Sequence, residues 1–190
     1  MLDNYEIILA SQSPRRQELL AGLDIKFTIK TLPNLKEVCP SDLCGEEIPL
    51  FLAKQKAQAF ASILKDNTLI ITADTIVWLD GKVYGKPKDA ADAKYMLHEL
   101  SGKTHEVITG VCITTTVRQK CFAAISKVTF AELSDAEIDY YVEKYQPLDK
   151  AGSYGVQEWI GYIGVERIEG SYYNVMGLPI QRLYNVLKDW

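Results

Sequence analysis

The segment from Thr68 to Leu79 constrains the fold of this chain more than any other. It is a long run of β-branched and apolar residues that contains a single acid, Asp74. A strand with one face in water alternates apolar and polar residues, so this continuous run predicts a buried strand. Strand and helix patterns alternate on either side of it, which favours an α/β or mixed α+β fold.

Turn and helix-start signals separate the other predicted elements. Ser11-Gln-Ser-Pro14 follows a short apolar strand predicted over 6–10 and has the composition of a helix start. Asp80-Gly81 predicts a hairpin turn, so several neighbouring strands should be antiparallel. Helices are predicted over 15–21, 46–64, 89–100 and 134–145 and after Pro179, and strands over 25–29, 82–84, 105–116, 120–130 and 159–168.

Length and charge limit the classes of protein to which the chain can belong. With 190 residues it has room for one full core or two small lobes, so residues 1–190 are predicted to form a single domain. It carries 21 Lys and Arg against 25 Asp and Glu, a net charge of -4. A nucleic-acid-binding domain normally has a basic excess, so a nucleic acid polymer is not an expected partner.

The N-terminus and the cysteines indicate a reducing, cytoplasmic location. Residues 1–6 lack the basic region and long apolar core of a signal peptide, and no apolar stretch is long enough to suggest a membrane partner. The four cysteines lack the paired spacing of a zinc or thioredoxin-type site. They are predicted to be reduced and mostly buried thiols.

The segment 11–16, Ser-Gln-Ser-Pro-Arg-Arg, is predicted to bind an anion. It joins the end of a strand to the start of a helix, where free backbone N–H groups favour phosphate. Arg15 and Arg16 add forked donors that can grip phosphate oxygens in pairs. The alternative is that Ser13 only caps the helix while both arginines are solvated.

Asp74 is the leading catalytic candidate, because a lone carboxylate inside an apolar strand usually marks function or an ion pair. It could bind a divalent cation or accept a proton from an attacking water. The alternative is a structural salt bridge to a buried arginine. Lys54 and Lys56 are predicted on different faces of one helix, so one of them can serve a site.

Two further loops contain groups suited to a ligand. Lys86, in Gly85-Lys-Pro87, occupies a stiff turn that could aim its ammonium at phosphate, although a solvated lysine is the more frequent explanation for any single loop lysine. Residues 149–157 combine an acid, a base, two glycines and Gln157, enough to approach a ligand closely. Ser101-Gly-Lys-Thr104 is not a P-loop, because position 97 is Leu and the segment follows a helix.

Six segments in order resemble the Maf-like nucleotide pyrophosphatase family. They are Ser11-x-Ser-Pro-Arg-Arg16, Ala73-Asp-Thr75, Gly85-Lys-Pro87, and residues 101–110, 149–157 and 170–179. The resemblance implies an elongated mixed sheet flanked by helices, with a central cleft between two lobes, as in the inosine-triphosphate pyrophosphatases. It also implies hydrolysis of nucleoside triphosphates to monophosphate and pyrophosphate, in the branch acting on dTTP and UTP.

The resemblance also implies roles for individual residues. A divalent cation, Mg or Mn, is expected at Asp74 and Glu37, although Pro33-Asn-Leu-Lys-Glu37 is less acidic than the family's pattern. A homodimer is suggested. The matching positions are Asp74 for catalysis, Arg15, Thr75 and Gln157 for substrate choice, and Ser11, Ser13, Arg16, Lys56 and Lys86 for phosphate binding.

Two alternative functions stay open at this point. A pyrophosphatase acting on purine or modified nucleotides would share the fold, and fold alone does not fix function. A regulator of septum formation would bind nucleotide without needing turnover. Gln157 distinguishes the first alternative, because its amide can donate and accept toward the O4 and N3–H edge of a pyrimidine. Asp74 distinguishes the second, since a pure sensor needs no catalytic carboxylate.

Overall fold

A computed structural model describes residues 2, 4–32 and 38–190, and in it the segment 68–79 forms a single long strand. The strands are β1 (Glu6–Leu9), β2 (Thr28–Ile29), β3 (Thr68–Leu79), β4 (Lys82–Tyr84), β5 (Thr104–Thr114), β6 (Gln119–Phe130) and β7 (Val165–Glu169). The helices are α1 (Pro14–Ala21), α2 (Glu47–Ala59), α3 (Ala90–Leu100), α4 (Asp135–Tyr145), α5 (Trp159–Gly164), α6 (Tyr172–Met176) and α7 (Ile180–Lys188).

The predicted mixed sheet is confirmed. Within the described residues seven strands form one sheet in the order β2-β1-β3-β5-β6-β7, with β4 paired to β3. Strand β1 pairs with β2 and β3 in parallel, whereas β3 with β4 and β6 with β7 are antiparallel. The parallel pairs place the carboxyl ends of β1 and of the paired part of β3 side by side, with Leu9 opposite Ile71.

The chain divides into two compact units. Residues 1–74, 109–124 and 177–190 belong to the first, and residues 75–108 and 125–176 to the second. The boundary in β3 falls between Asp74 and Thr75. That the two units are lobes of one domain around a cleft stays a prediction.

In the first unit, helix α2 packs closely on β3 and β5. Ala53 and Ala57 of α2 contact Cys112 of β5 in a buried cluster. The close approach depends on Gly110, because a Cβ there would lie 2.4 Å from the carbonyl carbon of Pro49 in the first turn of α2. Small residues on both surfaces therefore set how closely α2 approaches the sheet.

The second unit has a continuous core of buried apolar side chains. Helices α3 and α4 contribute buried apolar faces that pack with the second half of β3 and the adjoining parts of β5 and β6. Three rings, those of His105, Phe130 and Tyr154, meet edge to face at centroid distances of 4.8 to 5.4 Å. This cluster ties the loop containing Tyr154 to the two strands.

The predicted helix starts are confirmed where a capping side chain is present. Ser13 accepts from the N–H of Arg16, Asp89 from that of Asp92, and Ser134 from that of Glu137. At Ser134 the Glu137 carboxylate also accepts from the Ser134 N–H, which completes a capping box. Short polar side chains therefore identify helix starts more dependably than apolar spacing alone.

Three element predictions need correction. The predicted strand over 159–168 is wrong in its first half, where Trp159–Gly164 is helical, with Ile160 buried, and the strand begins only at Val165. A short apolar run does not distinguish a strand from a buried helical turn. The predicted helix 46–64 ends at Ala59, strand 25–29 shrinks to Thr28–Ile29, and α6 had no prediction.

The prediction that all cysteines are reduced and mostly buried is wrong. Cys112 and Cys121 form a disulfide between β5 and β6, and of the other two Cys44 is exposed and Cys39 partly buried. The hairpin places positions 112 and 121 opposite each other, because Thr115 N–H donates to Arg118 O at its turn. Such a cross-strand pairing follows from register, which motif spacing does not reveal.

Among the described residues, no helix combines the length and the apolar character that a bilayer-spanning helix needs.

Replacing Gly110 by Ala should destabilise the protein by about 1 to 3 kcal/mol, because the new methyl group would force α2 away from β5. Urea denaturation measures the free energy of unfolding. Gly22→Ala is the matched control, since its Cβ would lie 3.4 Å from the nearest heavy atom, Leu19 O, and its stability should change by less than about 0.5 kcal/mol. Equal stability of the two variants would contradict this packing.

Candidate functional site

The alternation of β3 and the helical repeat of α2 bring Asp74 and Lys56 together. Thr72 and Asp74 are two apart on a strand and share a face, while Ala53 and Lys56 are three apart on a helix and share a face. The Thr72 hydroxyl donates to Ala53 O at 2.7 Å, and Lys56 Nζ lies 2.6 Å from Asp74 Oδ1. These two contacts, Thr72 with Ala53 and Asp74 with Lys56, fix the position of α2 along β3.

The Lys56 to Asp74 ion pair is largely shielded from water. The Lys56 side chain is 16% exposed and the Asp74 side chain 12% exposed. Burying either charge alone would be costly, and the opposite charge offsets that cost. The partner of Asp74 is a lysine rather than the arginine considered from sequence, and Lys54, on another face, is exposed as expected.

The segment 11–16 forms the predicted turn between β1 and α1. Ala10 N–H donates to Ile71 O at 2.9 Å, which continues the parallel pairing up to the turn and keeps it beside β3. Ser11 is buried, and its hydroxyl accepts from the N–H of Ser13 at 3.2 Å. The hydroxyls thus shape the strand-to-helix turn at the carboxyl end of β1.

Arg16 connects this turn to the strand that carries Asp74. Its Nε donates to Gly177 O and its Nη1 to Ala73 O, both at 2.8 Å. These bonds fix the backbone next to Asp74 and use two of the five guanidinium N–H donors. Arg16 therefore has a positioning function in the fold, and its contact with phosphate stays a prediction, as does that of the partly buried Arg15.

In the second unit, the loops carrying Lys86 and Gln157 are joined by a backbone hydrogen bond. Gly152 N–H donates to Gly85 O at 3.1 Å. Gly152 has φ +67°, and a Cβ there would lie 2.8 Å from Val77 Cγ2 of β3, so position 152 requires glycine. Lys86 itself is exposed. The link makes the position of one predicted ligand-binding loop depend on the other.

Gln157 has an unsatisfied acceptor. Its Oε1 is buried, yet it has no hydrogen-bond partner among the described residues. Most buried polar atoms in proteins are paired, so an exception calls for an explanation. An N–H group of a ligand would satisfy this oxygen.

The side chains of Tyr141 and Glu158, close to Gln157 along the chain or in contact with its neighbours, were not predicted from the sequence as part of a site. The Tyr141 hydroxyl contacts both Gly155 N–H and the Glu158 carboxylate, on either side of Gln157. In the sequence, Tyr141 is one more apolar position of α4, and no local signal shows that its hydroxyl reaches a loop more than ten residues away.

The predicted metal site pairs Asp74 with Glu37. Glu37 lies outside the described residues. Within the described part of the chain, no group of three or more His, Cys, Asp or Glu side chains is arranged to hold a metal ion. Asp74 is the member of the predicted pair that the structure describes, and its role as a metal ligand stays a prediction.

The sequence pattern that defines Maf-like proteins matches residues 6–190. The chain belongs to the Maf-like protein family. The match includes both predicted phosphate-binding loops, Asp74 and Gln157, so the family resemblance drawn from six short segments is confirmed over almost the whole chain.

Curated relatives of this Maf-like protein match it over nearly their full length. The dTTP/UTP pyrophosphatase of Phocaeicola vulgatus is 63% identical over 98% of this chain and 97% of its own. The proteins of the same name from Porphyromonas gingivalis W83 and Flavobacterium johnsoniae are 57% and 50% identical, covering 100% and 98% of this chain and 98% and 95% of their own.

Two solved structures resemble this Maf-like protein in fold. The Staphylococcus aureus Ham1 protein aligns with a TM-score of 0.54 at 19% identity, over 97% of this chain and 98% of its own. A HAM1 protein from Coxiella burnetii gives 0.51 at 15% identity, over 98% and 100%. The predicted similarity of fold to the inosine-triphosphate pyrophosphatases is confirmed, and at these identities it concerns the fold alone.

His105 should make the stability of the Maf-like protein depend on pH. Burial lowers the pKa of His105 from 6.5 to about 4, and its Nε2 lies 2.7 Å from the Tyr154 hydroxyl. Between these two pH values the unfolded chain binds more protons, so the free energy of unfolding should rise with pH, by on the order of 3 kcal/mol. Above pH 6.5 this contribution should be constant.

Urea denaturation at several pH values checks this prediction. His105→Phe should be less stable above pH 6.5, because Tyr154 loses its partner, and the rise in stability between pH 4 and 6.5 should shrink. His98→Gln, a change at the exposed histidine, should keep the wild-type rise. A His105→Phe protein with the full rise would contradict the assignment.

Proposed function

We propose that this Maf-like protein hydrolyses dTTP and UTP to the nucleoside monophosphate and pyrophosphate. The observation that carries hydrolysis is the buried Asp74 carboxylate, held by Lys56 at the end of the apolar half of β3. Its relatives at 57% to 63% identity are dTTP/UTP pyrophosphatases over nearly the whole chain, which supports the same activity here.

Selection of the base is assigned to Gln157, together with Arg15 and Thr75. Uracil and thymine share an N3–H donor next to the O4 acceptor. The unsatisfied Oε1 of Gln157 can accept from N3–H while its amide N–H donates to O4. An unpaired acceptor in the protein thus complements the one donor common to both bases.

The triphosphate is assigned to the 11–16 turn and to lysine side chains. The partial positive charge at the N-terminal end of α1 favours phosphate oxygens, and Ser11 and Ser13 shape the turn before it. Arg15, Arg16, Lys56 and Lys86 would add positive charge against the charge that develops on the departing pyrophosphate.

In the proposed reaction, water attacks the α-phosphorus and the bond between that atom and the bridging oxygen to the β-phosphate breaks. The pyrophosphate leaves with that oxygen, and the proton of the water passes toward Asp74. A carboxylate can accept it because Lys56 keeps one of its oxygens oriented. Lys56 thus has two tasks, orientation of Asp74 and compensation of phosphate charge.

The family resemblance implies a divalent cation. Mg²⁺ is commonly held by one or two carboxylates together with substrate phosphates and water, and Asp74 supplies one carboxylate of that kind. Asp74 would hold Mg or Mn, with Glu37 as the second ligand expected from the family. When bound, such a cation would neutralise phosphate charge and polarise the phosphoryl oxygens. The cytoplasmic location and the homodimer remain part of the same proposal.

Asp74→Asn should lower kcat for dTTP and UTP by about 10²- to 10⁴-fold, because the amide cannot accept a proton. Quantifying monophosphate, pyrophosphate and orthophosphate separately shows which bond is cut. Pyrophosphate should be the second product. A metal-free assay with chelator should abolish turnover, and Mg or Mn should restore it.

Asp80→Asn is the matched control, because Asp80 is exposed at the β3–β4 turn and Asn accepts its φ of 50°. Its activity should equal that of the wild type. An active Asp74→Asn protein, or release of orthophosphate as the first product, would overturn the proposed reaction.

Gln157→Ala should reduce kcat/KM for UTP and dTTP about tenfold, with little loss for CTP, because one hydrogen bond to the base disappears. Steady-state kinetics on the three nucleotides and inosine triphosphate measures the preference. Gln181→Ala, at an exposed position of α7, should change nothing. Wild-type protein that accepts inosine triphosphate and refuses UTP would instead make this a purine house-cleaning enzyme.

A further inference from the structure

Tyr141 places a hydroxyl in an apolar interior. It is fully buried on α4, on the same face as Ile138 and Val142, in the core of the second unit. A buried hydroxyl without hydrogen-bond partners destabilises a protein. The partners of the Tyr141 hydroxyl therefore show which part of the chain Tyr141 fixes in place.

The hydroxyl bonds to the chain on both sides of Gln157. It accepts from Gly155 N–H at 3.0 Å and donates to Glu158 Oε2. Gly155 lies two residues before Gln157, and Glu158 directly follows it. One oxygen atom thus ties the backbone before Gln157 to the side chain of the residue after it.

Lys150 holds the other oxygen of Glu158. Its Nζ lies 3.1 Å from Glu158 Oε1 and 2.8 Å from Asp149 Oδ1, and Lys150 is only 7% exposed. A Cβ at Gly155 would lie 2.8 Å from Glu158 Cδ, so glycine there permits the close packing. Charge, hydroxyl and backbone therefore fix Glu158 from several directions.

Fixing this segment matters because the position of the Gln157 backbone decides whether its amide reaches the edge of the base. That amide can accept from the N3–H of uracil and donate to O4. We propose that Tyr141 is a positioning residue that holds the segment around Gln157 where this amide meets the N3–H and O4 edge of uracil and thymine. This inference rests on the proposed function, in which Gln157 contacts the base.

Tyr141→Phe removes only the hydroxyl. The ratio of kcat/KM for UTP to that for CTP should fall about tenfold, mainly through KM for UTP, because the amide is no longer held. The kcat for UTP should stay within about threefold of the wild type, since Asp74 is unchanged. Tyr140→Phe is the matched control on the same helix, because its hydroxyl accepts from Lys144 at 2.6 Å on the surface.

A double-mutant cycle with Gln157→Ala separates positioning from a general effect on the fold. In the Gln157→Ala background, Tyr141→Phe should leave the UTP to CTP ratio unchanged, because the residue it positions is absent. If Tyr141→Phe unfolds, Glu158→Gln replaces it in the same cycle and should lower the same ratio.

Two results would overturn the inference in distinguishable ways. If Gln157→Ala lowers the ratio but Tyr141→Phe leaves it at the wild-type value, the positioning role fails while the proposed contact with the base stands. If Gln157→Ala itself leaves the ratio unchanged, the proposed contact fails, and the positioning role fails with it.

Discussion

The contact between Lys56 and Asp74 is the interaction on which the first unit depends. A carboxylate inside an apolar strand is tolerated because α2 brings an ammonium to 2.6 Å from it. That approach requires Gly110 and the alanines of α2, and the Thr72 hydroxyl sets the register of the helix on the strand. The small residues that let α2 pack closely on the sheet are therefore also needed to bring Lys56 to Asp74.

The second unit solves a different problem, that of giving a loop a fixed shape. The segment from Lys150 to Glu158 has little regular structure, yet its polar groups are paired with Tyr141, His105 and the backbone of Gly85. Loops that bind ligands need such support, because a side chain displaced by one ångström loses much of its selectivity. Among these paired groups, the unsatisfied oxygen of Gln157 is an exception.

Arg16 has a structural role that the sequence does not reveal. Two adjacent arginines after a strand predict an anion site, and binding of an anion at this turn stays a prediction. The structure adds that Arg16 donates to the carbonyls of Ala73 and Gly177. A guanidinium with five donors can do both, but a motif cannot show how those donors are shared.

The sequence by itself determined the buried strand with its acid, the capped helix starts, the hairpin at Asp80-Gly81 and the Maf-like family, because each depends on local chemistry or on ordered motifs. Only the tertiary structure decided that Lys56 is the partner of Asp74, that Cys112 meets Cys121, and that Tyr141 reaches the loop of Gln157. These contacts join residues distant along the chain. Their partners follow from strand register and helix packing, which no local pattern specifies.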